Sequence, residues 1–173
     1  MGRIIGIRFK NYGSLKDIKM GKLLFDNRGK ELANMNAIIG QSGTGKSTLA
    51  DAFGFLADCL EKGVEVACDL NGRGGYEKLI SQNVVEPIEF EIYYRETSNE
   101  PPITYELSIG LDKYDRPVVE KERLRQRRAN ERYGRPMSFL FLEYGKGFAF
   151  KGNNSPPIKA TPREQLSATS AIK

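Results

Sequence analysis

The chain has 173 residues, 28% of them charged and 39% hydrophobic, with a formal net charge of +5 and no histidine. That length suits one domain, or one lobe of a larger one, and is enough to bury a core. Without imidazole, no mechanism that needs histidine as base, metal ligand or phosphate sensor can run inside this chain, and no apolar run approaches the roughly 20 residues that cross a bilayer.

The N-terminus Met1-Gly2-Arg3-Ile4-Ile5-Gly6 lacks a secretory pattern, and Gly6 stands where a myristoylation signal has Ser or Thr. Cys59 and Cys68 have no histidine companions and read as small buried hydrophobes of a reducing cytosol, not as a disulfide or metal site. The expected compartment is the cytoplasm, with no membrane partner. Arg3–Phe9 is β-prone and Asn11-Tyr12-Gly13-Ser14 follows as a turn. Leu23–Asp26 reads as a second short strand, closed by a turn at Asn27–Lys30.

Met35–Ile39 is a short apolar run suited to a buried strand, and Gly40-Gln41-Ser42-Gly43-Thr44-Gly45-Lys46-Ser47 after it satisfies G-x-x-x-x-G-K-[ST] at every fixed position. Glycines there let the backbone curl so that successive N–H groups face a polyphosphate. Lys46 reaches the β- and γ-phosphates, the Ser47 hydroxyl ligates Mg²⁺, and the following helix, through Thr48, points its positive end at the same place. Leu49, Ala52, Phe53, Leu56, Cys59 and Leu60 fall at helical spacing, and Gly63 supplies the stop. The alternative is a Gly/Ser turn with Lys46 merely solvated. Strand, loop and helix in this order favour nucleotide binding, with ATP and Mg²⁺ as the expected ligands.

A Gly-rich link, Asn71–Gly75, leads to a short helical piece near Tyr76–Ser81. The period then changes from helical to alternating. Ile88–Tyr94, Ile103–Ile109, Val118 to about Arg128, Met137–Tyr144 and Gly147–Lys151 read as strands of an antiparallel meander. Thr161-Pro162-Arg163-Glu164 carries the signature of a helix start, yet no closing Gly or Pro follows before Lys173. Either the chain stops inside a longer protein or a plain terminal helix docks on the sheet.

Ile7–Asp17, Ala37–Gly40 and the phosphate loop together resemble the N-terminus of ABC-type ATPases, in the branch holding RecF-like proteins, structural-maintenance-of-chromosomes proteins and bacterial AAA-family ATPases. Ser47–Leu56, with Arg73-Gly74-Gly75-Tyr76-Glu77-Lys78-Leu79 downstream, is most similar to the last group. The resemblance implies an α/β fold with α+β character: a P-loop NTPase lobe that joins a strand–loop–helix unit to a largely antiparallel sheet and ends before the helical half that carries the Walker B carboxylates. Residues 1–82 would be the P-loop subregion, 83–152 the meander, and 153–173 a link and helix start of one ATP-binding lobe.

By the same resemblance, Lys10 and Asn11 stand where a residue after the first strand approaches the nucleotide; their plain reading is solvated turn residues. Gln82 and Gln165 are both candidates for a glutamine near the γ-phosphate. The family closes as a dimer on the ATP site and works on DNA or on a protein partner. The chain also departs from the pattern. Phe139–Glu143 imitates a strand ending in Asp-Glu, but Tyr144 follows Glu143, and Leu166-Ser167-Ala168-Thr169 shares only the first two residues of the signature motif. The resemblance thus implies an ATPase only when completed by those motifs. A small P-loop kinase, or a nucleic-acid-binding or assembly module with a vestigial loop, are the other readings.

Between Lys113 and Arg135 there are nine basic and four acidic residues, which carries the whole excess charge. On a strand, Lys121, Arg123, Arg125 and Arg127 project from one face about 6–7 Å apart, a stripe that could track a nucleic-acid backbone. Cross-strand pairing with Glu89, Glu91 and Glu106 would neutralise it, and that is the favoured expectation.

Overall fold

A computed structural model of the protein describes residues 2–26, 29–127 and 136–149. The elements are β1 (Arg3–Tyr12), β2 (Leu15–Gly21), α1 (Lys46–Lys62), α2 (Val64–Asp69), α3 (Tyr76–Leu79), β3 (Ile88–Arg95), β4 (Ile103–Leu111), β5 (Pro117–Gln126), β6 (Met137–Glu143) and β7 (Lys146–Ala149). The strands form one sheet in the order β2-β1-β3-β4-β5-β6-β7, every pairing antiparallel. All but one of the pairings join strands adjacent in sequence. The exception is β1 with β3, whose register sets Phe9 opposite Phe90 and so spans everything from the phosphate loop to α3.

Strand alternation decides the two faces of the sheet. Ile7 and Phe9 of β1, Ile88, Phe90 and Ile92 of β3, and Tyr105, Leu107 and Ile109 of β4 point to one side. There they meet Leu49, Ala52, Phe55, Leu56 and Cys59, the apolar stripe of α1. Burial of each large side chain is worth about 1.5–3 kcal/mol over leaving it in water. Phe9 meets Phe53 and Phe90 edge-on, with ring centroids 5.0 and 5.1 Å away. A smaller cluster of Ile5, Leu23, Leu24 and Tyr93 is separate from this core.

Two expected strands are not strands. Met35–Ile39 lies outside the sheet, with Met35 89% and Ile39 92% exposed. A strand exists only where a neighbouring ladder takes its backbone groups, and among the described residues none pairs with Met35–Ile39. Leu23–Asp26 is a turn closed by the Asp26 amide on the Leu23 carbonyl, although Leu23 and Leu24 are buried. The strand in that part of the chain is β2, an edge strand whose Lys16, Asp17 and Lys19 masked it in the sequence. Gly63, at φ 88°, ends α1 as expected but starts α2 directly, where a Gly-rich link was expected only later. The helix start at Thr161–Glu164, Gln165 and the Leu166–Thr169 segment lie outside the described residues.

Candidate functional site

The loop before α1 is held open by its own backbone and side chains. Gly43 and Gly45 have φ of 83° and 85°, the left-handed region that a residue with a Cβ enters only with strain. Gly45 is the N-cap of a 17-residue helix and uses no side-chain cap, so the amides of the first turn have no carbonyl ahead of them. The Thr44 hydroxyl donates to the Gln41 carbonyl at 2.8 Å. A Cβ on Gly40 would press on the Thr44 hydroxyl at 2.9 Å, which explains glycine there.

Lys46 folds back across this loop. Its ammonium donates to the Gly40 carbonyl at 2.7 Å and to the Gln41 carbonyl at 2.5 Å. Ser42 is exposed beside Gly43, and Ser47 on the first turn of α1 is exposed as well. Among the described residues no carboxylate pairs with Lys46 or Ser47, and no three Asp, Glu or Cys residues gather as a metal site. The loop therefore offers unpaired amides, one ammonium and one hydroxyl to an anion. This donor set fits a triphosphate with its magnesium ion.

The β1–β2 turn supports the helix side of the loop. The Ser14 hydroxyl lies 3.1 Å from that of Thr48, and a Cβ on Gly45 would fall 2.9 Å from Ser14 Oγ. That turn is in turn clamped from behind: the Gly13 amide donates to Leu79 at 2.6 Å, and the Ser81 hydroxyl donates to Gly13 at 2.8 Å. Loop, turn and α3 thus form one continuous support.

A charge cluster around a buried arginine secures the next turns of α1. The Arg73 side chain is 4% exposed and donates from Nε to Asp51 at 3.1 Å, from Nη1 to Asp58 at 2.6 Å, and to the Ala67 carbonyl at 3.2 Å. Its guanidinium stacks over the Phe55 ring at 5.4 Å. Tyr12 at the end of β1 donates to the other Asp51 oxygen at 2.5 Å. Burial pulls the Arg73 pKa down, but its hydrogen bonds to Asp58 and Asp51 outweigh this and raise it. The same hydrogen bond holds the Asp58 carboxyl below its ordinary value. Burial, then the Asp51 contact, pushes the Tyr12 phenol up. Nothing in the sequence reading singled out Tyr12, Asp51 or Asp58. The available signal was two aspartates seven residues apart on one helix face, with a lone arginine among glycines downstream.

The remaining candidates are placed elsewhere. Lys10 pairs with Glu89 at 3.1 Å on the sheet face away from α1, and Asn11, at φ 59°, donates to the Pro87 carbonyl at 2.9 Å. Gln82 is exposed. Glu143 is exposed at the end of β6, in register with Lys121 and Lys146, and no parallel ladder carries it toward Ser47. Among the described residues no helix is long and apolar enough to cross a membrane.

Residues 35–168 match a family model described as "AAA domain, putative AbiEii toxin, Type IV TA system". No curated protein and no solved structure matches the chain. The matched span opens at Met35, the start of the exposed apolar run, and takes in the phosphate loop, the helices and β3 to β7.

Proposed function

The chain belongs to that AAA-domain family, a nucleotide-binding P-loop class, and from this premise we propose that it binds Mg-ATP through Gly40–Thr48 as one lobe of an ABC-type ATPase of the RecF- and SMC-like branch. The observation that carries the reading is the Lys46 ammonium lying across the mouth of a loop whose first-turn amides have no internal partner. A γ-phosphate would take over that ammonium from the Gly40 and Gln41 carbonyls, and the amides would hold the β-phosphate. Bound at the Ser47 hydroxyl, Mg²⁺ would neutralise phosphate charge. Among the described residues no carboxylate stands at the loop to orient a water, so hydrolysis would draw on a Walker B strand, a signature motif and a second ATP-bound lobe from outside them. The apolar run Met35–Ile39 supports this, because it has the composition of a sheet strand and, among the described residues, no strand pairs with it.

A small P-loop kinase would continue in βα units. After α3 the described residues instead run through antiparallel strands only. Titration of a fluorescent ATP analogue with magnesium into wild type and Lys46→Ala tests the proposal. The variant should bind at least about tenfold more weakly, a loss of roughly 1.4 kcal/mol, and chelating magnesium should weaken the wild type. Equal affinities would make the loop a structural relic and overturn the assignment.

A further inference from the structure

The basic stripe of β5 divides into two halves with different surroundings. Arg125 pairs with Glu106 and lies over the Phe25 ring at 5.0 Å, and Arg127 donates to the Leu24 carbonyl at 3.2 Å. That half is absorbed by the fold, as cross-strand neutralisation requires. Lys121 and Arg123 are not. The ladders set Glu143 opposite Lys121 and Glu106 opposite Arg123, but among the described residues neither cation has a carboxylate within ion-pair distance, and Glu106 is taken by Arg125. Both rest on an aromatic ring, with the Lys121 ammonium 5.7 Å and the Arg123 guanidinium 5.4 Å from the centroid of Phe141. Arg123 also donates to the Ser138 hydroxyl at 2.6 Å. Phe141 stands directly opposite Phe148 on β7, the rings 5.8 Å apart at 37°. All four side chains project from the face opposite the one that carries Leu124 toward α1, and all four are partly exposed.

We propose that this end of the sheet, Lys121 and Arg123 of β5 with Phe141 of β6 and Phe148 of β7, binds a single-stranded polynucleotide. A cation–ring contact near the surface is worth about 0.5–1 kcal/mol, so a phosphate can recruit Lys121, and Arg123 beside its Ser138 contact, at little cost. Aromatic rings on an open antiparallel sheet stack unpaired bases, each worth about 1–3 kcal/mol, whatever the base. A duplex keeps its base faces hidden, so this combination selects single strands. The site is independent of the phosphate loop, which lies on the other side of the sheet with α1.

Fluorescence anisotropy of labelled oligo(dT) and oligo(U) with the full chain tests the proposal. Binding should be salt-dependent, and Lys121→Gln with Arg123→Gln should lower the slope of log K against log salt by about 1.4, for two phosphates. Phe141→Leu should weaken binding about tenfold with the slope unchanged. Lys46→Ala should bind oligonucleotide like wild type, which separates this site from the nucleotide-binding proposal. Lys121→Gln alone, which leaves the Arg123–Ser138 contact intact, gives half the slope change should the double variant fold poorly. Three results would each overturn the inference: no binding of either oligonucleotide, equal affinity for a duplex of the same length, or displacement by polyglutamate as effective as displacement by unlabelled oligo(dT).

Discussion

Arg73 donates to Asp58 at 2.6 Å across fifteen positions of chain, and through Asp51 the same guanidinium is one hydrogen bond from Tyr12 on β1. One residue of the Gly-rich link thus ties the helix behind the phosphate loop to the strand that carries the Ser14 turn.

Arg73→Ala should therefore loosen the loop support as well as lower stability. It removes a side chain that is 4% exposed, so Asp51 loses its arginine and Asp58 keeps only the 3.6 Å contact with Lys62 as an ion pair. We expect a Tm lower by about 5 °C or more, and Arg73→Lys should recover only part, since an ammonium cannot serve both carboxylates with a fork. The pH dependence has a defined sign. Asp58 has its folded pKa depressed, so its contribution is complete above the ordinary carboxylate range and is lost as pH falls through the depressed value. Thermal melts between pH 7 and 3 should show the gap between wild type and Arg73→Ala closing at the acid end.

Glu122 should behave in the opposite sense. It is 0% exposed on β5; one oxygen accepts from Tyr105 at 3.0 Å and the other has no hydrogen-bond partner among the described residues. Burial raises its carboxyl above the ordinary value against the opposing pull of the Tyr105 hydrogen bond. A raised folded pKa gives full stability below the ordinary glutamate value of 4.5, lost as pH rises through the raised value. Glu122→Gln, neutral throughout, should match wild type near pH 4 and melt higher than wild type at pH 7. An unchanged difference across that range would contradict the burial argument.

The two left-handed glycines of the loop should rank in a definite order. Alanine at Gly43 meets no atom within 4 Å, so its cost is the φ strain alone, about 1–2 kcal/mol. Alanine at Gly45 adds a contact of 2.9 Å with Ser14 Oγ and 3.3 Å with Leu15. Gly45→Ala should lower both Tm and ATP affinity more than Gly43→Ala does, and Gly45→Ala with Ser14→Gly should recover part of that excess.

Ile39→Ser should change Tm by no more than about 1 °C, because a side chain 92% exposed has little burial to lose. It should lower binding of a hydrophobic dye to the folded chain. A large drop in Tm would mean that the segment packs against the sheet in solution.

What was legible in the sequence was local and periodic. Leu49, Ala52, Leu56 and Cys59 recur on one helix face and Gly63 ends it, so α1 could be placed nearly to the residue. Alternation likewise located β3 to β7. Two other features depend on partners that spacing does not reveal. Met35–Ile39 has a strand's composition, but composition cannot supply a neighbouring ladder. The stripe on β5 was expected to be neutralised as a unit, but side-chain reach overrides register: Glu106 stands opposite Arg123 yet pairs with Arg125, while Lys121 and Arg123 rest on Phe141. The Arg73 cluster escaped for the same reason, since its members come from β1, α1 and the link before α3.

The pairing of Phe9 with Phe90 has a kinetic consequence. β3 to β7 can zip up hairpin by hairpin, each closing a short loop, whereas β1 can join them only by closing a loop that contains the whole phosphate-binding unit. Loop closure costs about (3/2)RT ln n, so this step carries the largest entropic penalty among the strand pairings. The binding loop thus gains its β1 support only with that costly closure, and a ligand that grips the loop should retard unfolding more than it hastens folding.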